Sequence, residues 1–173
     1  MFADGTSKGQ RFTMAAPERP PYGSYAILVA TYSGGLATAG LVGTLLQRSP
    51  YTSTPLDFAV LAAANFKVSR SIVRDKVTSF AREPLVEGKA YHGDDEKPVQ
   101  TGDMKQAVGE LVTCTRCIGT WTAAGLTAAQ IVAPRFGRIL TWSLAASAAT
   151  DFLLAGFTAL TSKANQLEDE TDS

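Results

Sequence analysis

Three long stretches without charge constrain this chain more than any motif in it. Residues 20–47 hold 28 positions with no Asp, Glu, Lys or Arg. Residues 117–134 hold 18 more, and residues 139–162 hold 24 that are interrupted only by Asp151. A helix on the surface of a soluble protein carries a charged face because one side meets water. Helices that lack one fit a hydrocarbon core, which about 20 apolar residues cross. The competing reading is a soluble bundle of Ala-rich buried helices. Composition alone hides the pattern: 16 basic and 16 acidic residues cancel, and the mean hydropathy is +0.03.

The balance still excludes some classes. A neutral chain lacks the basic excess of a nucleic-acid binder. Two cysteines in 173 residues are too few for a disulfide-built secreted scaffold.

The expected architecture is all-α: a membrane helical bundle of three to four transmembrane helices with a polar cytoplasmic loop. Residues 1–19 read as a flexible polar tail, with no signal peptide evident. The membrane helical domain covers 20–162, with helices at about 23–47, 55–81, 110–133 and 136–162. Residues 83–109 are rich in Gly, Pro and mixed charge, and read as a loop. Residues 163–173 form an acidic tail.

The second helix is the ambiguous one. Its first half, PLDFAVLAAANF, is apolar apart from Asp57 and Asn65. The helical spacing then continues through Val68, Ile72, Val73, Val77 and Phe80 among basic residues. One continuous helix over 55–81 is expected, either spanning the membrane or lying with its second half at the interface. With four spans, 13 Lys and Arg fall on the side of both termini and the central loop, against 3 opposite. With three spans the division is 11 to 5, and the N-terminus changes sides. Either way the positive-inside rule keeps the central loop and the C-terminus cytoplasmic.

Few residues could carry chemistry. Cys114 and Cys117 form C-T-R-C, which places both thiols one turn apart if a helix starts near Glu110. Such a pair can bind metal, form a disulfide or exchange thiols, and Arg116 between them favours thiolate. A zinc site needs four ligands. It would need His92 plus a carboxylate, or four cysteines from two copies. A packing or helix-start role is the plainer alternative, and His92 reads as a solvated loop residue. No cofactor motif is present: there is no Walker-type loop, no nucleophile elbow and no H-E-x-x-H.

Asp151, alone in its stretch, is a functional candidate by default, because an ionisable group at membrane depth needs a partner or a cavity. It fits a polar clamp or an ion path. Asp151 or Asp57 is expected to pair with a basic residue of 67–82. Lys67, Arg70, Arg74, Lys76 and Arg82 suit anionic lipid headgroups or a protein partner. Gly35, Ala39 and Gly43 recur every four residues, as do Ser143, Ser147, Asp151, Ala155 and Ala159. Such stripes let helices approach closely in lipid, within one chain or between copies. Trp121 and Trp142 lie near span ends. The expected partners are membrane lipid and a second copy or another membrane protein, with no nucleic acid.

Two blocks carry a resemblance. One is FKVSRSIVRDKVTSFAREP at 66–84, and the other is GELVTCTRCIGTWTA at 109–123. Their matching positions are Arg70, Arg74, Asp75, Lys76, Thr78 and Arg82, then Glu110, Leu111, Cys114, Cys117, Gly119 and Trp121, followed by Asp151. Over roughly residues 56–160 the chain resembles the small bacterial membrane proteins grouped as domain of unknown function 1360. The resemblance implies a bacterial membrane location and no activity. The first apolar stretch looks like an addition to that shorter pattern. The function expected overall is structural or interactive, through helix assembly and a basic cytoplasmic face. A thiol or metal site and an ion path through Asp151 are the alternatives.

Overall fold

The computed structural model describes residues 20–46, 54–88 and 96–171. The N-terminal tail and His92 lie outside the described residues. The chain is mostly helical, in the order α1 (Tyr22–Leu45), α2 (Pro55–Arg74), α3 (Ser79–Arg82), α4 (Met104–Thr113), α5 (Thr115–Val132) and α6 (Pro134–Thr171). Short 3-10 turns flank α3 at Lys76–Thr78 and Glu83–Leu85. A minimal antiparallel hairpin pairs β1 (Val86–Glu87) with β2 (Lys97–Pro98), in the register Val86 to Pro98 and Glu87 to Lys97.

Helix α5 lies between the others. It packs on α1 along one side and on α2 and α6 along the other. Directions follow from named contacts. Tyr32 meets Trp121 edge-on at 5.4 Å, and a Cβ on Gly43 would sit 2.8 Å from Ile131 Cγ2, so α1 and α5 run parallel. Phe66 stacks on Phe152 at 5.4 Å, beside an ion pair between Lys67 and Asp151. Arg138 lies near enough to Asp57 for their charges to interact, so α2 and α6 also run parallel. Ser69 lies against Gly119, and Gln130 donates to Thr141 Oγ1 at 3.0 Å, which makes α5 antiparallel to both. One end of the bundle therefore gathers the starts of α1 and α5 and the end of α2.

Local sequence explains the boundaries. Thr54 and Asp57 form a reciprocal capping box, with Pro55 at the first helical position, so α2 starts there. Asp57 thereby completes the capping box from the third helical position and makes no pair with the 67–82 segment among the described contacts. Pro134 opens α6 directly after α5. Gly137 permits the tight return, because a Cβ there would lie 2.6 Å from the Gln130 backbone nitrogen.

The helix expected over 55–81 is two helices. The chain turns extended at Asp75, with φ −75° and ψ 139°. The helix expected to begin near Glu110 is also divided, at Cys114, with φ −105° and ψ 108°. The region expected as loop over 83–109 contains the hairpin, and α4 already begins at Met104. Gly109 of α4 packs on the hairpin, where a Cβ would sit 2.7 Å from Leu85 O. The acidic segment expected as a tail instead continues α6 to Thr171.

Two helices, Tyr22–Leu45 and Pro134–Leu167 within α6, are long and apolar enough to cross a membrane. In the most apolar stretch of each, only 6% of residues are buried. Large apolar side chains such as Ile27, Val29, Leu41, Phe152, Leu153 and Phe157 point outward.

Candidate thiol site and the contacts that frame it

Cys114 occupies the N-cap of α5, and the extended backbone at that residue separates α4 from α5. Its Sγ accepts a hydrogen bond from the Cys117 backbone N–H at 3.3 Å. The Cys117 thiol, one turn on, donates to the same sulfur, with the two Sγ atoms 2.6 Å apart. Both cysteines are free thiols, Cys114 half-buried and Cys117 exposed. The Cys117 thiol, the Cys117 and Arg116 backbone N–H groups and the Arg116 charge hold the Cys114 thiol below its ordinary range. A helix N-terminus favours thiolate for the same reason that it favours any anion.

Cys117 also lines a cavity of about 440 Å³ between α1, α4 and α5. Its wall is mostly apolar and includes Tyr25, Tyr32, Leu111 and Trp121. Glu110 supplies the carboxylate. The Tyr25 hydroxyl donates to Glu110 Oε2, and Gln106 Nε2 donates to Glu110 Oε1 at 2.9 Å. Gln106 is itself buried and accepts from the Gly102 N–H at 2.8 Å, where φ is +71°. The spacing of Gln106 and Glu110, one turn apart on α4, was the available sign of this network. Its partner Tyr25 is 85 residues away in sequence and gave none. Among the described residues, no group of three or more His, Cys, Asp and Glu side chains is placed to hold a metal ion.

The basic segment divides into different roles. Arg82 is only 1% exposed, so the expected lipid or partner contact at this residue is corrected: its guanidinium faces inward. It grips Glu96 with two bonds, Nε to Oε2 at 2.9 Å and Nη2 to Oε1 at 3.1 Å. Its Nη1 donates to Ile72 O at 2.5 Å and to Thr78 Oγ1 at 2.7 Å. Thr78 Oγ1 in turn donates to Ser71 O at 2.6 Å. Helix ends leave carbonyls without partners, and Arg82 and Thr78 supply them for the last turn of α2. This is why the chain can break at Asp75. Lys67 is likewise engaged, its Nζ 2.7 Å from Asp151 Oδ2. That contact joins an aspartate and a basic residue of the segment, as the sequence led us to expect. Arg70, Arg74 and Lys76 lie on the exposed surface.

The small-residue stripes divide too. Gly43 is buried against α5, and Ala39 is half-buried. A Cβ on Gly35 meets nothing within 4 Å. In α6 the packed face runs through Gly137, Thr141 and Ala148, so Ser143, Ala155 and Ala159 are exposed instead. Polar contacts tie α2 to α5 through Ser69 Oγ and Thr122 Oγ1 at 3.0 Å.

Residues 60–156 match the family described as "Protein of unknown function (DUF1360)". The chain belongs to this family. A curated relative, the UPF0713 protein YngL of Bacillus subtilis (strain 168), is 29% identical over 102 residues. The match covers 57% of this chain and 75% of the relative. No solved structure matches. The matched residues hold most of α2, the Arg82–Glu96 pair, the cysteine pair and Asp151, whereas α1 precedes them.

Proposed function

We propose that this family member is a four-span membrane protein that works by assembly, as a helical scaffold with a basic cytoplasmic edge. The outward-facing apolar surface of α1 and α6 carries this reading. A soluble bundle would turn Ile27, Leu41, Phe152 and Phe157 inward, because each exposed large apolar side chain forfeits about 1.5–3 kcal/mol of burial. In lipid the same arrangement has no such cost.

Helix lengths support four crossings. The 20 residues of α2 extend roughly 30 Å and the 18 of α5 roughly 27 Å, close to the hydrocarbon thickness. The alternating directions of α1, α2, α5 and α6 suit four successive crossings. Arg70, Arg74, Lys76 and Arg116 gather at one end, while Arg135 and Arg138 mark the other. This favours a cytoplasmic location for the former. A reporter fused to the N-terminus should report the same side as one inserted in residues 89–95. Opposite sides would leave three spans and an interfacial α2.

Assembly has its own test. Gly35 faces open space, so Gly35→Leu should weaken self-association in bilayers while leaving the single chain folded. Wild-type protein that stays monomeric in bilayers at all concentrations would end the assembly reading.

A further inference from the structure

We infer that Cys114 and Cys117 form a thiol–disulfide exchange site, with Cys114 the attacking thiol and Cys117 the resolving one, acting on a disulfide with an apolar flank. Three observations meet there. The two sulfurs are already in contact at 2.6 Å, so the second can reach the first without backbone movement. Cys114 is the sulfur that accepts, from both a thiol and a backbone N–H, which is the arrangement that stabilises a thiolate. Cys117 borders an apolar cavity large enough for a substituent of several carbons, walled by Tyr25, Tyr32 and Trp121.

The exchange balances without any further reagent. The Cys114 thiolate attacks one sulfur of the substrate disulfide, forming a mixed disulfide and expelling one thiolate. Cys117 then loses its proton to solvent, and its sulfur attacks Cys114 Sγ. The second substrate thiolate departs, and a Cys114–Cys117 disulfide remains. The substrate disulfide gains two electrons, and the cysteine pair supplies them. A dithiol restores the starting state by the reverse exchange. Glu110 places a negative charge in the cavity wall, so an uncharged substituent suits it better than an anionic one.

The test uses the full chain in lipid nanodiscs, reduced and then freed of reductant, with 4,4′-dithiodipyridine as an uncharged aromatic probe. Glutathione disulfide is the polar comparison, and N-acetylcysteine corrects for the intrinsic reactivity of each probe. Wild type should release two thiopyridones per chain and keep no label. Its first step should be about three to ten times faster than N-acetylcysteine at pH 7, since a lowered thiol pKa raises the thiolate fraction more than it lowers nucleophilicity. The corrected preference should favour the aromatic probe.

Cys117→Ser should release one thiopyridone and retain the other on Cys114. Cys114→Ser should react at least tenfold more slowly, yet stay folded, because serine is itself a good N-cap. Circular dichroism and elution volume check the fold of both variants. Faster reaction at Cys117 than at Cys114, or a wild-type rate equal to that of N-acetylcysteine, would overturn the assignment. So would retention of label by the wild type. None of these outcomes bears on span number or self-association, so the scaffold reading stands or falls separately.

Discussion

Arg82 looks from the sequence like one more cation in a basic run, and it is instead the anchor of the segment after α2. Its fork meets both oxygens of Glu96, and both side chains are almost wholly buried. Removing one partner of a buried pair leaves an uncompensated charge, which costs about 3–5 kcal/mol. Arg82→Met should therefore lower stability by about that much in detergent denaturation. Arg82→Lys should be nearly as damaging, because an ammonium cannot make the paired bonds. Arg82→Met with Glu96→Met should be more stable than either single change. Asp151 shows how far such reasoning reached. Its isolation among apolar residues announced a partner, and Lys67 is that partner. In a double-mutant cycle, Lys67→Met and Asp151→Asn should couple by between about 0.5 and 3 kcal/mol. Strictly additive effects would show that the pair contributes nothing. Charge pattern made Asp151 legible, whereas nothing local distinguishes Arg82 from Arg70. Only the fold of residues 76–88, with Glu96 beside it, decides which arginine turns inward.

At the scale of elements, hydropathy marked the stretches that hold the four long helices, but it missed both breaks and ended the last helix at 162 where α6 runs on to Thr171. A helical period persists across Asp75 and across Cys114, so the pattern gave no sign of a stop. The stops are made by side chains that satisfy backbone groups: Thr78 and Arg82 at the end of α2, and Cys114 itself at the start of α5. The glycines separate in a similar way. Gly137 faces backbone at 2.6 Å, which cannot move aside, while Gly43 faces the end of the Ile131 side chain at 2.8 Å. Gly137→Ala should cost more than Gly43→Ala, with the first at about 1–3 kcal/mol and the second below it. Gly35→Ala, facing open space, should be neutral or slightly stabilising. Thermal unfolding of the three variants side by side checks the order. Equal losses at Gly35 and Gly137 would contradict the packing described for the α5–α6 hairpin.

For the whole molecule, the two tryptophans offer a direct view of what surrounds the bundle. Trp121 is half-buried and packs on Tyr32, whereas Trp142 is 42% exposed on α6. In bilayers containing brominated lipid, Trp142 in a Trp121→Phe protein should be quenched more strongly than Trp121 in a Trp142→Phe protein. Quenching of neither would remove the membrane reading. The longest element adds a mechanical consequence. Helix α6 runs 38 residues without a break, roughly 57 Å, and only its first half is gripped by α2 and α5. A stiff rod clamped at one end acts as a lever. A tilt of a few degrees in the clamped half would sweep its far end through several ångströms. Any slippage at the Lys67–Asp151 fulcrum would then be magnified at the acidic tip.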